Sequence, residues 1–141
     1  MKRIFLFLFL ISLFYLNTYG QENFLTGYII KNNQDTVPGY ILSQNSLKAS
    51  ETCIFKETLE SKKQTYTPGE IYAYRYQDGQ FYVSRSIPEA GRENENKVFL
   101  EILIEGIVSI YYLRDKNGDR YFIDKETHGM IELSNPQRKH H

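Results

Sequence analysis

The stretch GYIIKNNQDTVPGYI, residues 27–41, decides the fold that the sequence predicts. It repeats the tripeptide Gly-Tyr-Ile on either side of a polar quartet, Asn-Asn-Gln-Asp, at residues 32–35. The flanking segments, residues 24–31 and 36–42, are rich in the aromatic and β-branched residues that favour strands. Asn and Asp tolerate a left-handed backbone and form local hydrogen bonds, so the quartet predicts a turn. The pattern therefore indicates a β-hairpin rather than a tandem repeat.

The register of this hairpin depends on the length of its turn. A loop of two or four residues places Lys31 opposite Thr36 and Tyr28 opposite Gly39. An aromatic ring opposite a glycine can cover the exposed backbone, which favours this pairing. Pro38 has no N–H to donate, so we expect the second strand to lie at a sheet edge there or to carry a bulge.

A second hairpin is predicted around Asp78 and Gly79, a dipeptide typical of tight two-residue turns. Pairing Gln77 with Gln80 assigns the flanking residues to two faces of a sheet. One face is expected to be core and the other to be mixed, as in antiparallel sheets with one wetter side. The expected core face holds Tyr72, Tyr74, Tyr76, Phe81 and Val83, and the opposite face holds Ala73, Arg75, Tyr82 and Ser84.

The densest apolar segment lies in the C-terminal half. Apolar residues at 98, 100, 102 and 104 alternate with a second set that includes Glu101 and Glu105, a pattern that favours a strand over a helix. Asn117-Gly118 predicts a third tight turn with Asp115 opposite Arg120. Further short strands are expected at residues 52–57, 63–68 and 130–133.

The spacing of strands and turns predicts an all-β fold with little or no helix. We expect a small antiparallel β-sandwich or a partly open β-barrel built from hairpins. About 120 residues suit one domain of this kind with a modest core.

The first 20 residues have the layout of a secretory signal peptide. Lys2 and Arg3 precede an apolar run over residues 4–16, which is shorter than a bilayer-spanning helix requires, and cleavage is expected near Gly20. No later segment could cross a bilayer as a helix, so we expect no transmembrane segment in the mature chain. The expected organisation is a signal peptide (residues 1–20), a single β domain (residues 21–133) and a polar tail (residues 134–141).

Charge and cysteine content narrow the classes of function. Loss of Lys2 and Arg3 leaves 15 basic residues against 17 acidic ones, a formal charge of −2. Nucleic-acid binding requires a concentrated positive face, so we expect no nucleic-acid partner. Cys53, the only cysteine, lies beside Ile54 and Phe55 and is expected to be a small buried hydrophobic residue.

No motif predicts a catalytic residue, a metal site or a cofactor. DKNGD, residues 115–119, faintly resembles the start of a calcium loop, but the Asn-Gly turn accounts for it. His128 is the only histidine before the C-terminal pair, and no serine or cysteine has the surroundings of an activated nucleophile. Glu101 and Glu105 are interpreted as a charged outer face of one strand, so we expect no enzyme activity.

The most distinctive feature of the composition is its aromatic content. Ten tyrosines and five phenylalanines remain after residue 20. Strands favour aromatic residues for packing alone, but tyrosine also suits protein interfaces and sugar stacking. The candidate binding residues are the tyrosines assigned outside the core and the two arginines beside them: Tyr82, Tyr112, Tyr121, Arg75 and Arg114.

The segments at residues 27–41, 98–113 and 120–133 together resemble a group of exported proteins of Bacteroidetes-type bacteria that has no assigned activity. Their shared pattern is Gly-Tyr-Ile, Asn-x-x-Asp-Thr and Gly-x-Ile, followed later by Phe-Leu-x-x-Leu-x-x-Gly. In some of these proteins such a region precedes an outer-membrane β-barrel, which implies an accessory module of the cell envelope. The matching residues are Gly27, Asn32, Asp35, Thr36, Gly39, Ile41, Phe99, Leu100, Leu103 and Gly106.

The sequence therefore predicts a non-enzymatic, exported β domain, periplasmic or on the cell surface, that binds another envelope protein. Binding could use the sheet edge near Pro38 or an outer surface rich in tyrosine. The alternative is a module that binds a small ligand, a sugar or a lipid, in a barrel mouth lined by aromatic residues. An interaction module predicts an exposed aromatic patch, whereas a ligand module predicts a concave pocket.

Overall fold

The computed structural model describes residues 1–4, 20–89, 96–125 and 129–133. Most of the expected signal peptide, the whole expected tail and His128 lie outside the described residues. The strands are β1 (Phe24–Ile30), β2 (Thr36–Leu42), β3 (Cys53–Lys56), β4 (Gln64–Tyr66), β5 (Ala73–Tyr76), β6 (Phe81–Ile87), β7 (Asn96–Ile104), β8 (Ser109–Asp115), β9 (Gly118–Lys125) and β10 (Gly129–Glu132), and a short helix, α1 (Ser46–Glu51), connects β2 to β3.

The described strands form a single antiparallel sheet that curls into a half-barrel. Its order is β10-β9-β8-β7-β6-β5-β1-β2-β3-β4. Two meanders, β1 to β4 and β5 to β10, therefore meet where β5 pairs with β1. The predicted all-β fold is confirmed, in its partly open form rather than as two stacked sheets. Among the described residues, no helix is long and apolar enough to span a membrane.

All three predicted hairpins are present, but their predicted registers are wrong. In the first, Tyr28 lies opposite Pro38, one residue away from the expected Gly39. The loop has three residues, with a turn hydrogen bond from Gln34 N to Lys31 O (2.9 Å) and Gln34 at a φ of 71°. A type I turn followed by a left-handed residue is the usual three-residue hairpin loop, and it moves the register by one.

The other two hairpins depart from expectation for a related reason. In the second, a turn from Tyr76 to Gly79 places Tyr74 opposite Tyr82, again one residue from the expected pairing. In the third, Asp115 pairs with Gly118, whose φ is 113°, so the expected pairing of Asp115 with Arg120 is two residues off. Glycine in these turns therefore takes the position after the two central residues rather than a central position.

The repeated Gly-Tyr-Ile is explained by the close approach of four neighbouring strands, β5, β1, β2 and β3. Gly27 and Gly39 lie opposite each other in the β1–β2 pair. A Cβ at Gly27 would overlap the carbonyl oxygen of Arg75, and one at Gly39 would overlap that of Lys56. β2 is an interior strand of the sheet, but Pro38 lies beyond the two β2 residues that pair with β3, so β2 has an edge only locally, at Pro38.

The sheet buries side chains on both faces, not on one as expected. Tyr74, Tyr82 and Phe99 belong to one buried cluster, with Ile29, Ile41, Ala49, Cys53, Phe55, Ile71 and Tyr76. Their chain neighbours Ala73, Val83 and Leu100 belong to a second cluster, with Ile87, Tyr111, Leu113 and Phe122. Neighbours in a strand point to opposite faces, so the central strands have a core on each side.

Helix α1, which the sequence did not predict, packs against the first cluster. The side chain of Asn45 caps it by accepting a hydrogen bond from Lys48 N at 3.0 Å. The Tyr74 hydroxyl donates to Ala49 O at 2.6 Å, and the Ser50 hydroxyl donates to Arg114 O at 3.1 Å. These bonds fix the helix to β5 and β8. Cys53 is fully buried beneath it, which confirms the expected packing role.

Candidate binding surface

Register aligns four tyrosines and one glutamate in a row across β5 to β9. Tyr74 lies opposite Tyr82, Tyr82 opposite Glu101, Glu101 opposite Tyr112, and Tyr112 opposite Tyr121. Residues directly opposite in antiparallel strands point to the same face, with Cβ atoms about 5 Å apart. We call these five residues the tyrosine row. It contains all three tyrosines that the sequence predicted as binding residues.

The β5–β6 end of the row is buried. The rings of Tyr74 and Tyr82 stack with centroids 4.8 Å apart, and Tyr82 is only 4% exposed. The expected outward orientation of Tyr82 is therefore wrong, because the one-residue change of register moves it onto the same face as Tyr74. The Tyr82 hydroxyl donates no hydrogen bond to any described residue, and burial, followed by the charge of Glu101, raises its pKa.

The β8–β9 end of the row is accessible. Tyr121 is 43% exposed, and its ring centroid lies 5.4 Å from that of the half-buried Tyr112. Oδ1 of Asp119 accepts hydrogen bonds from the Tyr112 hydroxyl and from Arg114 Nη1, both at 2.7 Å. Burial and this bond to a carboxylate raise the pKa of Tyr112 to about 12. Three of the five candidate residues therefore form one exposed cluster with Asp119.

Glu101 occupies the middle of the row. Its side chain is half-buried, and burial alone raises the pKa of its carboxyl group. The carboxylate makes no hydrogen bond or ion pair with any described residue, in contrast to Asp115, Asp119 and Glu132. The sequence alone predicts that Glu101 belongs to a charged outer face of the strand. Its position in a strand between Leu100 and Ile102 was the signal that it could be partly desolvated.

Arg75, the fifth candidate, is not part of this cluster. Its strand neighbours Tyr74 and Tyr76 point to the first core, so Arg75 lies on the opposite face. Its guanidinium carbon is 5.6 Å from the ring centroid of Phe81. Both residues line an open depression of about 600 Å³ beside the β5–β6 turn, which Glu101 and Glu105 also border.

A more enclosed cavity of about 490 Å³ adjoins the buried end of the row. Tyr76 and Tyr82 form its aromatic part, and the Tyr76 hydroxyl donates to Leu42 O at 2.8 Å. Its polar lining is mostly neutral, with one carboxylate and, among the described residues, no lysine or arginine. The other lining residues are Leu25, Thr26, Ser43, Gln44, Asn45, Ser46, Gln77, Asp78, Gly79 and Gln80.

The DKNGD segment is a structural turn. Oδ1 of Asp115 accepts a hydrogen bond from Asn117 N at 2.7 Å, and its Oδ2 pairs with Arg120 at 3.0 Å. Both oxygens therefore have partners within the hairpin and the sheet. In the part of the chain that the structure describes, no three His, Cys, Asp or Glu side chains are grouped to hold a metal ion.

Comparisons with protein-family models, curated proteins and solved structures found no match to this chain.

Proposed function

We propose that this chain is a non-enzymatic, exported β domain that binds another protein of the bacterial cell envelope. The exposed half of the tyrosine row supports this proposal. Tyr112, Tyr121, Arg114 and Asp119 present two adjacent rings beside a fixed guanidinium–carboxylate pair. Tyrosine and arginine are enriched in protein interfaces, because they combine large contact area with polar ends.

Exposed apolar side chains occur next to the row in the sheet and further along the chain from Glu101. Leu133 is exposed and donates its backbone N–H to Tyr121 O at 2.8 Å, so it continues the row beyond β9. Beyond Glu101 along the chain, Leu103, Ile107 and Val108 are exposed, and Ile107 is 95% exposed. Exposed apolar side chains that group together often mark sites of interaction with other proteins.

Site-specific photo-crosslinking in native envelopes tests the proposal. A benzoylphenylalanine placed at Tyr121 should give one dominant protein adduct, identified by mass spectrometry. The matched control is the same probe at Leu59, which is also exposed but does not belong to the row. The proposal fails if the Tyr121 probe gives no adduct despite demonstrated photoactivation, or if both positions give the same set of adducts.

The cavity of about 490 Å³ supports a second candidate function, binding of a small polar ligand such as a neutral sugar. Amide side chains, one carboxylate and two tyrosines suit the hydroxyl groups and apolar faces of a sugar. Tyr82→Phe keeps the stacked ring but removes the hydroxyl that donates to no described residue. Sugar binding in calorimetry that weakens in Tyr82→Phe, but not in Tyr121→Phe, would favour this function.

A further inference from the structure

Glu101 lies between Tyr82 and Tyr112 in register, at the boundary between the buried and accessible halves of the tyrosine row. Its carboxylate is half-buried and makes no hydrogen bond or ion pair with a described residue. A partly desolvated charge of this kind opposes folding unless a compensating group approaches it.

Elsewhere in this sheet, one arginine, Arg120, contacts carboxylates and an aromatic ring together. Arg120 bonds to Asp115 and Glu132, and its guanidinium carbon lies 5.2 Å from the centroid of Phe122. The guanidinium carbon of Arg85 lies 5.7 Å from the ring centroid of Tyr72, a second contact between an arginine and a ring. Glu101 and its tyrosine neighbours present the same two components, a carboxylate and rings, without a cation from the described residues.

We propose that Glu101 anchors an arginine side chain of the protein partner, with the ring of Tyr112 beside the guanidinium. This inference rests on the proposed function. Arginine fits better than lysine, because its planar guanidinium can accept a bidentate carboxylate and stack on a ring at once. A single carboxylate among tyrosines has too few oxygen ligands for Ca²⁺ or Mg²⁺ and would repel anionic ligands.

The arginines near Glu101 do not already neutralise its carboxylate. Arg114 is already bonded to Asp119 at 2.7 Å, and it does not contribute to the pKa of Glu101, which is raised by burial alone. Arg75 borders the same depression as Glu101, but its guanidinium lies beside the ring of Phe81 and is not paired with Glu101. Among the residues that the structure describes, no cation is paired with Glu101, so an incoming guanidinium would be its first cationic partner. Such contact would favour the ionised carboxylate and compensate its desolvation.

The first test compares Glu101→Gln with the matched control Glu105→Gln in the Tyr121 crosslinking experiment. Glu105 is exposed and lies just past the end of β7. We expect Glu101→Gln to reduce the adduct yield about tenfold, as loss of a charged anchor at an interface does, and Glu105→Gln to leave it unchanged. An undiminished adduct in Glu101→Gln overturns the inference while the proposed function stands.

The second test uses a small probe, so it also decides the inference if no protein adduct forms at all. N-acetyl-arginine amide should shift the NMR signals of Glu101 and Tyr112 in the full chain, and the uncharged analogue N-acetyl-citrulline amide should not. The shifts should be lost in Glu101→Gln and kept in Glu105→Gln. Equal shifts with both compounds, or shifts that persist in Glu101→Gln, overturn the inference.

Discussion

At the scale of single residues, the close approach of β2 and β3 leaves room only for glycine at position 39. A Cβ at this position would overlap the carbonyl oxygen of Lys56 and lie 2.5 Å from ring atoms of Phe55. Because one obstacle is backbone and the other is a fully buried ring, neither can move freely. Gly39→Ala should therefore lower the free energy of unfolding by about 2–4 kcal/mol in urea titrations.

Gly106 provides the control for this substitution. Apart from its chain neighbours, no atom of the described residues lies within 4 Å of a Cβ built there, so Gly106→Ala should change the free energy of unfolding by less than about 0.5 kcal/mol. Similar losses for both variants would show that the close approach at Gly39 is not what constrains the residue.

Glu101 should destabilise the free protein at neutral pH. Burial raises the pKa of its carboxyl group in the folded state, so the folded chain binds this proton more tightly than the unfolded chain does. The ionised group therefore costs stability above the folded pKa, and the cost disappears as the pH falls through that pKa to the unfolded value. Glu101→Gln should raise the free energy of unfolding at pH 7 by about 0.5 kcal/mol or less, since the side chain is only half-buried.

Urea titrations at two pH values check this prediction. The difference between Glu101→Gln and the original chain should be present at pH 7 and vanish near pH 3.5, below the ordinary pKa of glutamate at about 4.3. The exposed Glu105 gives the comparison, because Glu105→Gln should have no such effect. A loss of stability in Glu101→Gln at pH 7 would mean that the carboxylate has a stabilising partner within the chain.

At the scale of elements, the sequence predicted which segments are strands but not how their residues pair. Asn-Gly and Asp-Gly located the turns, and alternation located β7. Register depends on whether a residue takes a left-handed conformation, and Gln34 does so in the first loop although its side chain gives no strong signal. A shift of one residue in the β5–β6 register places Tyr82 in the core. The sequence alone therefore did not predict that the members of the tyrosine row lie opposite one another.

The C-terminal edge of the sheet depends on Arg120. Its Nε and Nη2 bond to the Glu132 carboxylate on β10, both at 2.8 Å, and its Nη1 bonds to Asp115 on β8 at 3.0 Å. The side chain is only 10% exposed, so loss of these bonds is poorly compensated by water. Arg120→Ala should therefore lower the free energy of unfolding by about 1–3 kcal/mol, measured by urea titration.

Arg114 is the matched comparison on the neighbouring strand. It also forms an ion pair at 2.7 Å, with Asp119, but its side chain is 47% exposed. Exposed pairs of this kind contribute little, so Arg114→Ala should lower the free energy of unfolding much less than Arg120→Ala does. Equal costs for Arg120→Ala and Arg114→Ala would contradict the role given to burial.

At the scale of the whole molecule, the two meanders share a core. The first buried cluster combines Ile41 and Phe55 from the β1–β4 meander with Tyr74 and Phe99 from the β5–β10 meander. Neither meander can separate without exposing side chains of the other, which should make unfolding a single cooperative transition. Cys53 lies in this shared core and reports on its opening.

Thiol labelling tests this cooperativity. Cys53 is fully buried, and burial raises the pKa of its thiol, so the native protein should react negligibly with iodoacetamide at pH 8. In urea, the labelling midpoint should coincide with the midpoint of the sheet signal in far-UV circular dichroism, because the thiol becomes accessible only when both meanders separate. Labelling well below that midpoint would show that the β3–β4 edge opens alone, and that the continuous sheet is two units of stability rather than one.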